Sequence, residues 1–285
     1  MKKSVLILMA AAAMLVACKS KTVEEKMAEF TEWNDTFMEN YRARMVALAD
    51  DQEAAQAFSD SAYHAYVDYN KAALKKNLDN AVGLEALKQV YSDMEPQELS
   101  DILKKFKAPL EGKDSAFVAY IQESVNASLA TAVGKAFTDF TVQHVTGEDA
   151  NGEPIYEDKS LSDFVGKGKV MLVDFWSPWC PPCKAEIPNI KAVYEKYHSD
   201  KFDVLSVAVW EESRGMNWKN TVDTAAVYGI NWNQLNNGHQ EPATLYGIQG
   251  IPHMVLFDAE GKIIARGDEI RGKDLDAAVA KALGE

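Results

Sequence analysis

The stretch that most constrains this chain is Val170-Met171-Leu172-Val173-Asp174-Phe175-Trp176, followed four residues later by Cys180-Pro181-Pro182-Cys183. The first segment is a continuous apolar run of strand length, which predicts a strand covered on both faces, as in the centre of a sheet flanked by helices. The second stands where that strand hands over to a helix, so Cys180 falls at the helix N-terminus and Cys183 one turn inside. Unpaired backbone N–H groups and the helix dipole there stabilise a thiolate, lowering a cysteine pKa from about 8.5 into the range of roughly 3.5 to 7.5. Cys180 is therefore expected to be the attacking sulfur. Cys183, expected to be the less exposed, stays protonated until a mixed disulfide forms and then resolves it.

The rest of the C-terminal half alternates in the same way. A helix is expected over Pro181 to Tyr197, a second buried strand over Phe202 to Trp210, and a helix over Asn217 to Tyr228. A short helix ending at Tyr246, a hairpin of His253 to Asp258 and Lys262 to Arg266 around Ala259-Glu260-Gly261, and a last helix from Asp274 to Leu283 complete it. The pattern predicts an α/β mixed sheet with helices on both faces. Residues 18–133 are expected to be all-helical. Phe30, Trp33, Phe37, Tyr41, Met45 and Leu48 recur at three- and four-residue steps, as do Phe58, Ala62, Ala65, Tyr66 and Tyr69, marking core stripes of two helices. Breaks at Met94-Glu95-Pro96 and Gly112-Lys113-Asp114 bring the expected helices to four or five. The shift to Val, Thr and Phe near Gly134, and then the Gly/Asp/Asn-rich turn at 147–152, set the expected domains at 18–133 and 134–285.

With 285 residues at 47% hydrophobic composition the chain can bury two cores, and its formal charge of -13 is spread over both halves. Nucleic acid is excluded as a partner class, since its phosphates call for a basic surface, and an anionic membrane surface is disfavoured for the same reason. Lys2 and Lys3 precede an apolar run from Val5 to Val16, which is too short to span a bilayer and reads as an export signal over residues 1–17. Leu15-Val16-Ala17-Cys18 resembles a bacterial lipobox, which implies a mature chain starting at a lipidated Cys18 and anchored by acyl chains in the cell envelope, facing the periplasm. Of three cysteines this leaves Cys180 and Cys183 as the single pair, too few for a disulfide-stapled scaffold. A zinc site needs four ligands, and no two of His64, His144, His198, His239 and His253 stand at metal-site spacing, so no metal is expected. Two readings stay open beside disulfide exchange. One is a thiol peroxidase using Cys180, with Ser177 three residues before it, and the other is a binding or scaffold lipoprotein acting through its helical half.

Asp174 interrupts the apolar strand, and burying an ionisable group without a partner costs several kcal/mol, which points to a carboxyl of raised pKa that exchanges a proton with Cys183. Together, Val173-Asp174-Phe175-Trp176, Trp179-Cys180-Pro181-Pro182-Cys183-Lys184, Pro188 and Gly250-Ile251-Pro252 resemble thioredoxins, and most of all the TlpA-like thiol-disulfide oxidoreductases of bacterial envelopes. The resemblance covers residues 134–285 and implies a thioredoxin-like fold. It makes Asp174 the buried acid, Cys180 the nucleophile, Cys183 the resolving thiol, Pro188 a helix-kinking proline and Pro252 a cis-proline beside the dithiol. It also implies that Trp176, Trp179, Ile251 and Pro252 border a groove for an extended substrate. No dissociable cofactor is implied. The implied partners are thiols and disulfides of exported proteins and a membrane electron donor that keeps the protein acting as a reductase. Two positions depart from the family. No lysine lies in Phe202 to Val209 near the acid, and His253 follows Pro252.

Overall fold

The computed structural model describes residues 20–285. The signal segment expected at 1–17 and Cys18 lie outside the described residues. The chain divides into two compact units, Met1–Val90 with Lys107–Pro109, and Tyr91–Phe106 with Leu110–Glu285. This division places the helices over 96–103 and 112–130 with the second unit, away from the boundary expected near Gly134.

The described part of the first unit is built on α1 (Val23–Ala47), α2 (Gln52–Lys76) and α3 (Ala81–Val90). A capping box of Thr22 and Glu25 starts α1, and the Asp51 carboxylate accepts the Ala54 N–H at the start of α2. The aromatic stripes meet each other: Trp33 stacks on Tyr69 with ring centroids 3.5 Å apart, and Phe37 lies 5.3 Å from Tyr66. Leu74, Leu87 and Val90 complete a buried core.

In the second unit α4 (Pro96–Leu103) and α5 (Gly112–Ala130) precede an antiparallel hairpin of β1 (Thr141–Glu148) and β2 (Pro154–Ser160). Then follow β3 (Val170–Trp176), α6 (Pro181–Tyr197), β4 (Phe202–Ala208), α7 (Trp218–Tyr228), β5 (Asn233–Leu235), α8 (Glu241–Leu245), β6 (His253–Phe257), β7 (Ile263–Arg266) and α9 (Asp274–Leu283). The five-stranded sheet has the order β5-β4-β3-β6-β7, with β3 parallel to β4 and antiparallel to β6. β4 stops at Ala208, two residues short of the expected end, because Trp210 takes a left-handed conformation with φ 60° and starts a 3-10 turn over Glu211–Arg214.

The alternation of β3 assigns its side chains to two cores. Val170, Leu172 and Trp176 face a layer built from α6 and α9, while Met171, Val173 and Phe175 face a layer holding Phe140, Val142, Ala243 and Tyr246. The second layer is therefore covered by the hairpin region and the short α8, with α5 packed behind α8. By the same parity Asp174 points toward α6, the helix that carries both cysteines.

Candidate active site

Cys180 is the N-cap of α6, with Pro181 and Pro182 in the first turn, where proline's missing N–H costs no hydrogen bond. The Cys183 N–H donates to Cys180 Sγ at 3.1 Å, so the helix start itself supports negative charge on that sulfur. The two cysteines are joined by a disulfide with Cα atoms 5.3 Å apart. Exposure does not rank them as expected: each is 2% exposed. Position distinguishes them instead, since Cys180 Sγ lies 3.7 Å from the Ile251 carbonyl oxygen while Cys183 sits inside the helix. A sulfur in a disulfide carries no proton, so this is a contact in the oxidised state, and after reduction it is a donor-acceptor pair only while Cys180 is a protonated thiol.

Ile251-Pro252 is cis, and it leads directly into β6, which pairs with β3 in the register Asp174 to Met254 and Phe175 to His253. The site is therefore assembled where β3 ends, β6 begins and α6 starts. Among the described residues the Ile251 N–H has no acceptor. Trp179 and Ile251 are partly buried beside the dithiol, and Trp179 is fixed by its indole N–H donating to the Trp210 carbonyl at 2.9 Å, with Arg214 5.4 Å over its ring. Trp176 is corrected by the structure: at 1% exposure it lies beneath the site, in the core under α6, and presents no surface to a substrate.

Asp174 is fully enclosed. It pairs in register with Ser206 on β4, whose hydroxyl donates to Oδ2 at 3.4 Å, and the Trp232 indole N–H in turn donates to that hydroxyl at 2.9 Å. Its Oδ1 has no hydrogen-bond partner. Burial pushes its pKa up to about 7, opposed by the Ser206 hydrogen bond, assisted by the nearby Glu186 charge and opposed again by Arg271. The acid's hydrogen-bond partner is thus a serine hydroxyl, and with its pKa near 7 it can exchange a proton near neutral pH.

Two acids escaped the sequence reading. Glu186 is buried on the same stripe of α6 as Cys183, Ile187 and Ile190, where its Oε1 accepts the Gly272 N–H at 2.7 Å. An acid three residues after Cys183 on the apolar face was the available signal. Glu211 is buried beside Trp210 with both carboxylate oxygens unpartnered, and burial raises its pKa to about 7. No periodic pattern marks it, because it lies in a 3-10 turn. His253 points away from the dithiol. Its Nε2 receives the Arg266 guanidinium at 3.1 Å, and burial together with that charge lowers its pKa to about 3, so it is a neutral acceptor. Among the described residues no group of three or more His, Cys, Asp or Glu side chains is placed to hold a metal ion.

Comparison with known proteins agrees with this geometry. Residues 133–266 match the AhpC/TSA family. The chain is 29% identical over 117 residues to the thiol-disulfide oxidoreductase ResA of Bacillus subtilis, covering 41% of this chain and 59% of that protein. It is 30% identical over 124 residues to the thiol:disulfide interchange protein HelX of Rhodobacter capsulatus, covering 42% of this chain and 61% of that one. The chain therefore spans about three fifths of the length of these two relatives. Among solved structures, the thioredoxin domain of a thiol-disulfide oxidoreductase from Bacteroides vulgatus superposes with a TM-score of 0.41 at 30% identity, covering 53% of this chain and 96% of that domain. Residues 133–266, which hold the helix-capping dithiol and the cis-proline, are thus similar to the AhpC/TSA family, and the chain is similar over about three fifths of their length to the thiol-disulfide oxidoreductase ResA and the interchange protein HelX.

Proposed function

We propose that this protein is a thiol-disulfide oxidoreductase that reduces disulfides of exported proteins through Cys180 and Cys183. The observation that carries this reading is the placement of Cys180 Sγ at a helix N-terminus, 3.7 Å from the Ile251 carbonyl of the cis-proline loop, with a buried acid behind the dithiol. In the reduced protein the Cys180 thiolate attacks one sulfur of a substrate disulfide. The substrate S–S bond breaks, its other sulfur leaves as a thiolate and takes a proton, and a Cys180–substrate disulfide forms. Cys183 then gives its proton to Asp174 and attacks Cys180 Sγ, releasing the second substrate thiol and closing the Cys180–Cys183 disulfide. Two electrons have passed to the substrate, and an external dithiol restores them. The chemistry needs no dissociable cofactor, and the electron donor belongs in the membrane to which a lipidated Cys18 would tether the chain. No described helix is long and apolar enough to cross a membrane.

The AhpC/TSA match keeps peroxide in view as an alternative oxidant, but a buried partner thiol three residues from Cys180 favours exchange within the pair. The test uses reduced Cys183→Ser and Cys180→Ser proteins with a disulfide-bonded peptide. A stable covalent adduct on Cys183→Ser and none on Cys180→Ser is expected by mass spectrometry. Adducts on neither protein, or consumption of peroxide by Cys180 faster than of the peptide, contradict the reading.

A further inference from the structure

The segment that carries the Ile251 carbonyl to Cys180 Sγ runs from Tyr246, the C-cap of α8, to His253, the first residue of β6. One side chain holds both of its ends. The Arg266 guanidinium, at the end of β7, donates from Nη2 to the Tyr246 carbonyl at 2.8 Å, and its Nη2 and Nε lie 3.1 and 3.3 Å from His253 Nε2. Its Nη1 donates to the carbonyl and the hydroxyl of Thr131, the C-cap of α5, at 2.7 Å each.

A guanidinium presents its N–H donors in one rigid plane and accepts nothing, so His253 Nε2 is the acceptor and the ring proton sits on Nδ1. Burial and the charges of Arg266 and Arg271 keep the ring neutral against the pull of Asp268, so this clamp does not titrate where a cysteine does. Both clamped residues are anchored elsewhere as well. The Tyr246 hydroxyl donates to the Thr138 carbonyl at 2.9 Å, and His253 pairs with Phe175 on β3. Only residues 247–252 lie between the two anchors, with the cis-proline among them, so holding both ends fixes where the Ile251 carbonyl stands.

Cys180 Sγ stands between two opposed influences. The Cys183 N–H at 3.1 Å favours a thiolate there. The Ile251 carbonyl at 3.7 Å presents a lone pair, which accepts from a thiol S–H and repels a thiolate, so it favours the protonated form. We propose that Arg266 is a positioning residue, which acts through His253 and Tyr246 to hold the Ile251 carbonyl against Cys180 Sγ and so limits the share of Cys180 present as thiolate. Its consequence for turnover rests on the exchange reading above, in which the thiolate is the attacking species. The histidine that follows Pro252 is, on this account, one half of the clamp.

The test uses the full chain, reduced and carrying Cys183→Ser so that Cys180 is the only thiol of the pair. The rate of Cys180 alkylation by iodoacetamide is followed against pH by mass spectrometry of the peptide that contains it. His253→Leu removes the acceptor at similar bulk and is expected to lower the apparent Cys180 pKa by about one unit, a roughly tenfold gain in acidity that matches the loss of one hydrogen-bond contact. His253→Gln sets a carboxamide oxygen where Nε2 stood and is expected to restore the parent profile. Arg266→Lys keeps the charge but not the fork, and is expected to move the profile in the same direction as His253→Leu; it decides the question if His253→Leu does not fold. A profile that neither His253→Leu nor Arg266→Lys moves, or an equal shift in His253→Leu and His253→Gln, overturns the clamp and leaves disulfide exchange standing. The expected shifts in a chain whose parent reduces no disulfide-bonded peptide uphold the clamp and overturn the exchange reading.

Discussion

At the scale of residues, the account turns on Asp174. Its folded pKa is raised to about 7 from an ordinary 3.8, so between those values the folded chain holds a proton that the unfolded chain gives up. Stability therefore falls as pH rises across that window and levels off above it. Asp174→Asn cannot ionise. It is expected to be more stable than the parent at pH 8, by up to about 4 kcal/mol at 1.36 kcal/mol per pKa unit, with the difference closing by about pH 4. Thermal melts of both proteins over that range check this, and an equal offset at all pH values contradicts it. The same variant is expected to slow resolution of the mixed disulfide by about a hundredfold and to remove the rise in its rate with pH near 7, measured by stopped-flow fluorescence. Asp174 was legible in the sequence because a charge inside an apolar strand is conspicuous. Ser206, Trp232 and Arg271, which set its proton affinity, were not, because each comes from a different element and only the fold brings them to it.

At the scale of elements, the sequence located β3, α6 and α9 with the limits the structure shows, since each combines a clear period with a Pro, Gly or polar boundary. The β1–β2 hairpin was not legible as strands. β1 carries a bulge between Val145 and Gly147 that breaks its alternation, and β2 is mostly exposed, so neither shows a clean period of two. Nor could the sequence show that α5 belongs with the sheet, because helical periodicity reveals that a face is buried and not against what. Only the small residues Ser124 and Ser128, one turn apart, hint at a close approach. The fit of α5 against Gly247 gives a direct test. Gly247→Ala combines a left-handed backbone with an overlap on α5, and is expected to cost at least about 2 kcal/mol in chemical denaturation. Ser128→Ala, which removes only one hydrogen bond, is expected to cost about 1 kcal/mol. Similar small losses for both would mean that α5 is not held where the structure places it.

At the scale of the whole molecule, the composition shift near Gly134 marks where strands begin, but the compact units divide at Val90. Thr131 ties the end of the helical half to the second unit. Arg266 at the end of β7 donates to both its carbonyl and its hydroxyl at 2.7 Å, and also to the Tyr246 carbonyl at 2.8 Å. A chain cut at Gly134 leaves a half-buried guanidinium without its two Thr131 acceptors and uncovers the apolar surface beneath α5. A chain beginning at Tyr91 is therefore expected to melt cooperatively, and one beginning at Gly134 to melt several degrees lower or not to fold cooperatively, by calorimetry. Equal melting temperatures would return the boundary to Gly134. The helical unit before Tyr91, with its aromatic stripes packed inward, shows core and no reactive cluster among its described residues, so the chemistry is assigned wholly to the second unit. The measurement that tests this assignment most directly is the redox equilibrium of the Cys180/Cys183 pair, read in thiol-disulfide buffers by tryptophan fluorescence. The account predicts a single two-electron transition near the roughly -270 mV of thioredoxin, as a reductase requires. A midpoint nearer -180 to -120 mV would reverse the direction of transfer, and a pair that forms no disulfide at any poise would contradict the exchange reading altogether.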